Sequence, residues 1–439
     1  MKQYIWDELD AVQREDLLRR PALAEDDRLQ SDVARILDRV RRGRDSALLE
    51  ITKELDGVEL DSLQVGEDEF KAAETLLTDS QRQAMAEAAA NIRKFHEAQL
   101  PAPVVVETAP GVVCERVTRA IESVGLYVPA GSAPLPSTAL MLAIPAAIAD
   151  CPTRILCTPP QADGRADPSV LVAARSSGVQ QVFKVGGAQA IAAMAFGTES
   201  VPKVQKLFGP GNAWVTAAKA QAAQDPLGAA RDMPAGPSEV LVIADESADA
   251  AFVASDLLSQ AEHGTDSQVV LVTTSSAICA NVLEELEAQQ KTLSRRDITA
   301  VSLESSLAIL VEDLDAAFVV ANAYAPEHLI LQIENARARL DDVRAAGSVF
   351  IGAWTPESVG DYCSGTNHVL PTYGFARSYS SLGVTDFLRS MTVQELSQSG
   401  LETIGPVAVT LADLEGLDAH SAAVTRRLDS IRRDSETSS

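Results

Sequence analysis

Residues 239–273, EVLVIADESADAAFVASDLLSQAEHGTDSQVVLVT, decide the fold. EVLVI at 239–243 and SQVVLVT at 267–273 are short, nearly continuous apolar runs rich in β-branched residues, as expected of strands covered on both faces. Between them, 248–261 carries apolar residues at helical spacing, so the unit reads strand, helix, strand. Such a crossover implies a parallel sheet with right-handed connections. Toward the C-terminus the alternation continues with helices over 277–289 and 314–323 among LAILV at 307–311, HLILQI at 328–333 and GSVFIG at 347–352. An equivalent series precedes it: VGLYV at 124–128, RILC at 154–157, QVFKV at 181–185 and KLF at 206–208. Its intervening helices are placed at 137–149, 168–176, after Gly187 and from Asn212. Two successive series indicate two similar α/β domains, although no literal repeat joins them. Up to about residue 100 the pattern is helical, and from Val104 β-branched runs begin. After about Gly383 strands are scarce; 418–431 is the clearest helix, and the polar end DSETSS is expected to fray.

The 439 residues suffice for two to four ordinary domains. With 62 Asp plus Glu against 37 Lys plus Arg, the net charge of −25 repels phosphate backbones, so no nucleic-acid partner is expected. The longest apolar stretch, 139–149, contains Pro145 and falls short of the roughly 20 residues a spanning helix needs, so no membrane partner is expected either. The start, MKQYIWDELD, has acids where a signal peptide needs its apolar core, which points to the cytoplasm. The 5 cysteines form no CxxC pair and read as buried thiols of a reducing compartment.

Ligands of open parallel sheets bind beyond the carboxyl ends of strands. The Gly- and Pro-rich stretches YVPAGSAPLPST, VGGAQA, FGPGNAWV and DMPAGPSE mark such loops, although the GxGxxG fingerprint is missing. Only 5 histidines occur. His96, in the charged helix KFHEAQ, reads as solvated, and His368 as a brace within SGTNHVLPTYG. His263 follows Gln260 by three residues near a helix end, so both project from one face and suit two ligands of one metal. Asp361 and His420 could complete an N/O set, but no spacing rule joins such distant residues. Glu327 and His328, adjacent at a strand start, offer two proton carriers of different basicity. Local chemistry alone leaves these readings open beside ordinary structural ones.

Six segments, in order, carry a resemblance that covers nearly the whole chain. YVPAGSAPLPSTALM, KVGGAQAIAAMAFGT, FGPGNAWVTAAK, DMPAGPSEVLVIADESADAAFVASDLLSQAEHG, YAPEHL and SGTNHVLPTYG are similar to the motifs of the histidinol dehydrogenase family. Ala130 departs from that pattern, where the family usually has a second glycine. The resemblance implies an NAD-dependent, zinc-dependent homodimer that oxidises L-histidinol to L-histidine through L-histidinaldehyde, reducing two NAD+ in the last step of histidine biosynthesis. It also implies an α/β fold of two incomplete Rossmann-like domains with parallel sheets, plus small helical terminal domains exchanged between subunits. On that pattern the expected partition is a helical tail over 1–25, a first α/β domain from 26–126 and 239–382, a second over 127–238, and a C-terminal helical domain over 383–439.

Carried over residue by residue, the resemblance makes Gln260, His263, Asp361 and His420 the ligands of one Zn2+ per subunit, with His420 supplied across the dimer. Ser238, Gln260, His263, His328, Asp361, Glu415 and His420 correspond to substrate contacts, and Tyr127, Gln189 and Asn212 to NAD contacts. It implies His328 as the base for the hydroxyl proton and Glu327 as the base that activates water on the aldehyde. Two rivals are an aldehyde dehydrogenase acting through a cysteine thioester, for which Cys363 is the residue to test, and a zinc-stabilised nucleotide-binding protein without turnover.

Overall fold

The computed structural model describes residues 1–20, 27–130 and 133–437. They divide into two compact units, Met1–Gln99 with Ile121–Phe387, and Leu100–Ala120 with Leu388–Ser439. The larger unit contains two wholly parallel sheets, as the alternation of strands and helices requires. One is six-stranded, in the order Lys2–Ile5, Leu307–Leu310, Gln268–Thr273, Glu239–Ala244, His328–Gln332, Ser348–Ile351. The other is five-stranded, in the order Gln181–Lys184, Thr153–Thr158, Ser123–Tyr127, Lys206–Phe208, Ala230–Arg231. Glu239–Ala244 and Gln268–Thr273 are buried at every position, which is why they show no polar alternation.

The structure departs from expectation at several points. Lys2–Ile5, placed in a helical tail, is an edge strand beside Leu307–Leu310; its mostly exposed side chains give it no apolar signature. The remainder of that tail from 21 lies outside the described residues. The segment 27–97, grouped with 239–382 in the expected partition, makes extensive contacts with the five-stranded half. Helix Asp27–Leu55 lies on helices Gly187–Phe196 and Ala213–Gln224, and its Val33, Leu37, Leu48 and Ile51 share a core with Phe183 and Met194 of the five-stranded half. Helices Glu67–Leu76 and Asp79–Glu97 likewise pack on Pro168–Ser176 and Pro136–Ile148. The reason is area: the five-stranded sheet needs cover for its Ala-rich helices, and this amphipathic set supplies it.

His96, expected in solvent, is fully buried. Its Nδ1 lies 2.8 Å from Ile92 O and its Nε2 3.4 Å from Asn367 Nδ2, because it faces the packed side of its helix. Of the cysteines, Cys151, Cys157 and Cys279 are buried as expected, whereas Cys363 is exposed and Cys114 half-buried.

In the smaller unit, Leu388–Leu396 is a nine-residue strand antiparallel to Val112–Ala120, which also pairs with Val104–Ala109. The C-terminal region was expected to be helical, but this strand is exposed along most of its length and carries no continuous apolar run. Helices Gln398–Leu414 and Asp418–Thr437 pack together behind Gly416, so helix continues to Thr437, into the segment expected to fray.

One buried ion pair ties the N-terminal segment to the six-stranded sheet. Arg20 donates from Nε and Nη2 to the two carboxylate oxygens of Glu239, each at 2.9 Å, and lies 3.6 Å over the Tyr324 ring. Its Nη2 also donates to Tyr324 O at 2.7 Å. Replacing Arg20 with Met should lower the unfolding free energy by about 3–5 kcal/mol, since Glu239 is left buried and unpaired. Arg39→Met, whose partners Glu50 and Glu54 are exposed, should change it by about 1 kcal/mol or less. Urea melts of the two variants make the comparison, and equal losses would refute a special role for the buried pair.

Candidate active site

A cleft of about 620 Å3 opens between the two sheets. From the five-stranded sheet it receives loops that follow strand carboxyl ends, including Pro129 and Asn212. From the six-stranded sheet it receives the opposite edge: Ser238 precedes strand Glu239–Ala244, Glu327 precedes His328–Gln332, and Gln260 and His263 sit at the returning end of helix Ala250–Ala261. The carboxyl-end rule therefore locates the first set of loops but not the second. Gly131 and Ser132 lie outside the described residues, so the loop beyond Ala130 is followed only from Ala133.

The titratable core of the cleft is built around Glu239. Its backbone N–H donates to Glu327 Oε2 at 2.8 Å, and its carbonyl accepts from Gln260 Nε2 at 3.2 Å and lies 3.1 Å from His328 Nδ1. Gln260 Nε2 is also 2.9 Å from His328 Nδ1, while His328 Nε2 is 3.3 Å from Asp361 Oδ1. Burial pushes the Glu327 carboxyl up to about 8. Burial also opposes charge on His328, but the carboxylates of Glu357, Glu327 and Asp361 outweigh it and raise the imidazole well above its ordinary value. Asp361 is held below the usual carboxylate range: its burial acts the other way and is overcome by the hydrogen bond with His328. His368 braces the group, with Nδ1 2.9 Å from Asp361 O and Nε2 3.0 Å from Thr138 Oγ1.

Two features suit a cation. Gln260 is 1% exposed, and its Oε1 is buried without a hydrogen-bond partner, a costly state unless something positive meets it. Ligand atoms of His263, Asp361 and Glu357 all fall within 4.8 Å of one another. Glu357 was missed in the sequence, although PESVGDY places it four residues before Asp361, on the same helical face. Its short helix, Glu357–Tyr362, is seated by Gly360, where a Cβ would stand 2.5 Å from the Phe350 ring. The imidazole and oxygen donors, with borderline hardness, fit zinc or a similar divalent ion.

The other expected site residues are placed less uniformly. Ser238 lines the cleft half-buried, and its carbonyl accepts from Gln268 N at 3.2 Å. Asn212 is exposed on the rim and caps helix Ala213–Gln224 through Val215 N. Tyr127 and Gln189 are buried instead, Tyr127 accepting from Gly187 N–H at 3.0 Å. Glu415 and His420 belong to the smaller unit, both exposed. Among the described residues, no cysteine lines the cleft; Cys363 is exposed, next to Tyr362 and two residues from Asp361, which do.

The loop that carries Asn212 is clamped from within. The buried pair Lys219 and Asp232 holds both backbone groups of Gly209, with Lys219 Nζ donating to its carbonyl and Asp232 Oδ2 accepting from its N–H, each at 2.8 Å. Gly209 has φ +124°, and a Cβ there would meet Tyr127 O at 2.1 Å.

Sheets and loops together define an α/β enzyme whose cleft sets Glu327 and His328 beside donor atoms that could share a metal ion. The histidinol dehydrogenase family model matches residues 18–428. Histidinol dehydrogenase of Vibrio vulnificus (strain CMCP6) is 54% identical over 98% of this chain and 99% of its own. That of Xanthomonas axonopodis pv. citri (strain 306) is 56% identical over 98% and 99%. The crystal structure of histidinol dehydrogenase from Elizabethkingia anophelis superposes with a TM-score of 0.94 at 46% identity, covering 98% of this chain and 99% of that one. The chain belongs to the histidinol dehydrogenase family, a family of NAD-dependent oxidoreductases.

Gly209→Ala should disturb the clamped loop without touching the metal donors. Its expected signature is a KM for NAD+ raised by a factor on the order of 10 or more, at unchanged metal content. An unaltered KM in a folded variant would show that the loop does not serve the cofactor.

Proposed function

We propose that this chain oxidises L-histidinol to L-histidine through L-histidinaldehyde, reducing two NAD+ in succession, as a cytoplasmic homodimer. The observation that carries the reading is the buried Glu327 and His328 pair set against the orphaned Gln260 Oε1 and the donors of His263 and Asp361. Gln260, His263 and Asp361, with His420 contributed across the dimer, would hold a zinc ion. When bound, the ion supplies an orienting template for the substrate's imidazole and amine, and NAD+ the hydride acceptor. Ser238 and Glu415 would contact the substrate; Tyr127, Gln189 and Asn212 would serve the cofactor, the first two from behind the exposed loops. Among the described residues, no helix is long and apolar enough to cross a membrane.

The chain's own residues divide two proton tasks. His328 takes the hydroxyl proton as hydride leaves the carbinol carbon, a step for the neutral imidazole, against which the surrounding carboxylates work. Glu327, whose carboxylate lines the cleft, draws a proton from the water that adds to the aldehyde. NADH formation on adding histidinol separates this reading from a nucleotide-binding protein without turnover. In single turnover with excess NAD+, Glu327→Gln should release one NADH per site readily and the second slower by a factor on the order of 10² or more. Two NADH released at matching rates would remove Glu327 from the hydration step.

The shared site has a test of its own. His420→Asn and Glu327→Gln, each inactive in the full reaction, should regain activity when unfolded and refolded together, because a mixed dimer contains one intact site. If mass spectrometry finds mixed dimers and no activity returns, each site is built from one chain.

A further inference from the structure

Glu357 is not among the zinc ligands that the family pattern brings to this chain, yet its placement calls for an occupant. Its carboxylate is 1% exposed, and Oε2 has no hydrogen-bond partner. One of its oxygens lies within 4.8 Å of ligand atoms of both His263 and Asp361, as donors sharing one ion must. Asp361 follows it by one helical turn, and Gly360 lets that turn close against Phe350, so both carboxylates are delivered by one rigid element. A carboxylate shut away from water beside two metal donors needs a cation or a proton.

We propose that Glu357 is a further, exchangeable ligand of the metal, engaged in the substrate-free enzyme and displaced when histidinol binds. The reasoning for exchange is a count of donors, and it rests on the function proposed above. Gln260, His263 and Asp361 with a cross-dimer His420 make four, and the substrate's imidazole and amine bring the set to six. A seventh donor would exceed even an octahedral shell, and catalytic zinc ordinarily holds four or five. Without substrate, the carboxylate fills the open position and neutralises charge. With substrate it withdraws, still held by its helix.

The test measures metal affinity rather than turnover. Apo-protein prepared by chelation is titrated with Zn2+ against a chromogenic chelator, with and without saturating histidinol and in the absence of NAD+. Glu357→Gln should weaken Zn2+ binding about 10- to 100-fold without histidinol, and by less than about threefold with it. By linkage, histidinol should then bind the zinc-loaded variant more tightly than the parent, by the ratio of the two losses. Glu357→Asp keeps the charge but shortens the reach, so it should show the same pattern to a smaller extent, and it serves where Gln does not fold. Unchanged zinc affinity in a folded variant, or an equal loss with and without histidinol, overturns the proposal. His263→Asn is measured alongside: if it weakens zinc and Glu357→Gln does not, only Glu357 is misassigned, whereas no effect of either removes the metal site itself.

Discussion

Glu239 is the residue on which the cleft depends, because its side chain and its backbone face different obligations. Its carboxylate is held by Arg20 and by the Tyr373 N–H at 3.0 Å, which stops strand Glu239–Ala244 from shifting in register. At the first position of the strand, its N–H donates to the Glu327 carboxylate, and its C=O lies against Gln260 and His328. The ladder then does the rest: His328 pairs with Val240 and with Ser348, so the imidazole is delivered by the registers of three strands. Arg20 reaches further, to the carbonyls of Tyr324 and Ala325, the latter in the left-handed region at φ 52°. A non-glycine residue is held there at a cost of about 1 kcal/mol or more, and the turn it makes leads Glu327 into the cleft.

The sheets were legible because their strands are covered on both faces. EVLVI, SQVVLVT and HLILQI cannot alternate with polar residues, and the helices between them carry the opposite periodicity. Lys2–Ile5 and Leu388–Leu396 were not legible, being strands whose partners lie about 300 residues away in the chain and whose own faces are largely exposed. Nothing local distinguishes such segments from coil or helix. His96 escaped for the inverse reason: its neighbours Lys94 and Glu97 are charged, while its own helical face is buried against Pro136–Ile148.

The site was legible by type more than by geometry. Gln260 and His263 stand on one helix and Glu327 and His328 on one strand start, so their proximity within each pair follows from spacing. What joins the pairs is the hydrogen bonding of Glu239, a residue with no chemical signature of its own in a run of apolar letters. Glu357 shows the same limit, since an i, i+4 pair of acids is commonplace on solvated helices. Only the burial of this one, beside an imidazole, separates it from the rest.

The two sheets present opposite edges to the cleft, and this suits a reaction in two oxidations better than a single dinucleotide crevice would. Strand carboxyl ends of the five-stranded sheet lead into helix N-termini, which favour phosphates. The amino edge of the six-stranded sheet instead offers strand-start backbone groups and the returning end of a helix, which position side chains. Under the proposed function, spent cofactor must leave and fresh cofactor enter while a reactive aldehyde stays in place. Separate supports make that possible. The loop at Gly209 is clamped by Lys219 and Asp232, whereas the proton carriers are anchored through Glu239 and Arg20, and among the described residues these two hydrogen-bond sets share no member. Movement of a cofactor across one edge therefore need not disturb the groups that hold the intermediate on the other.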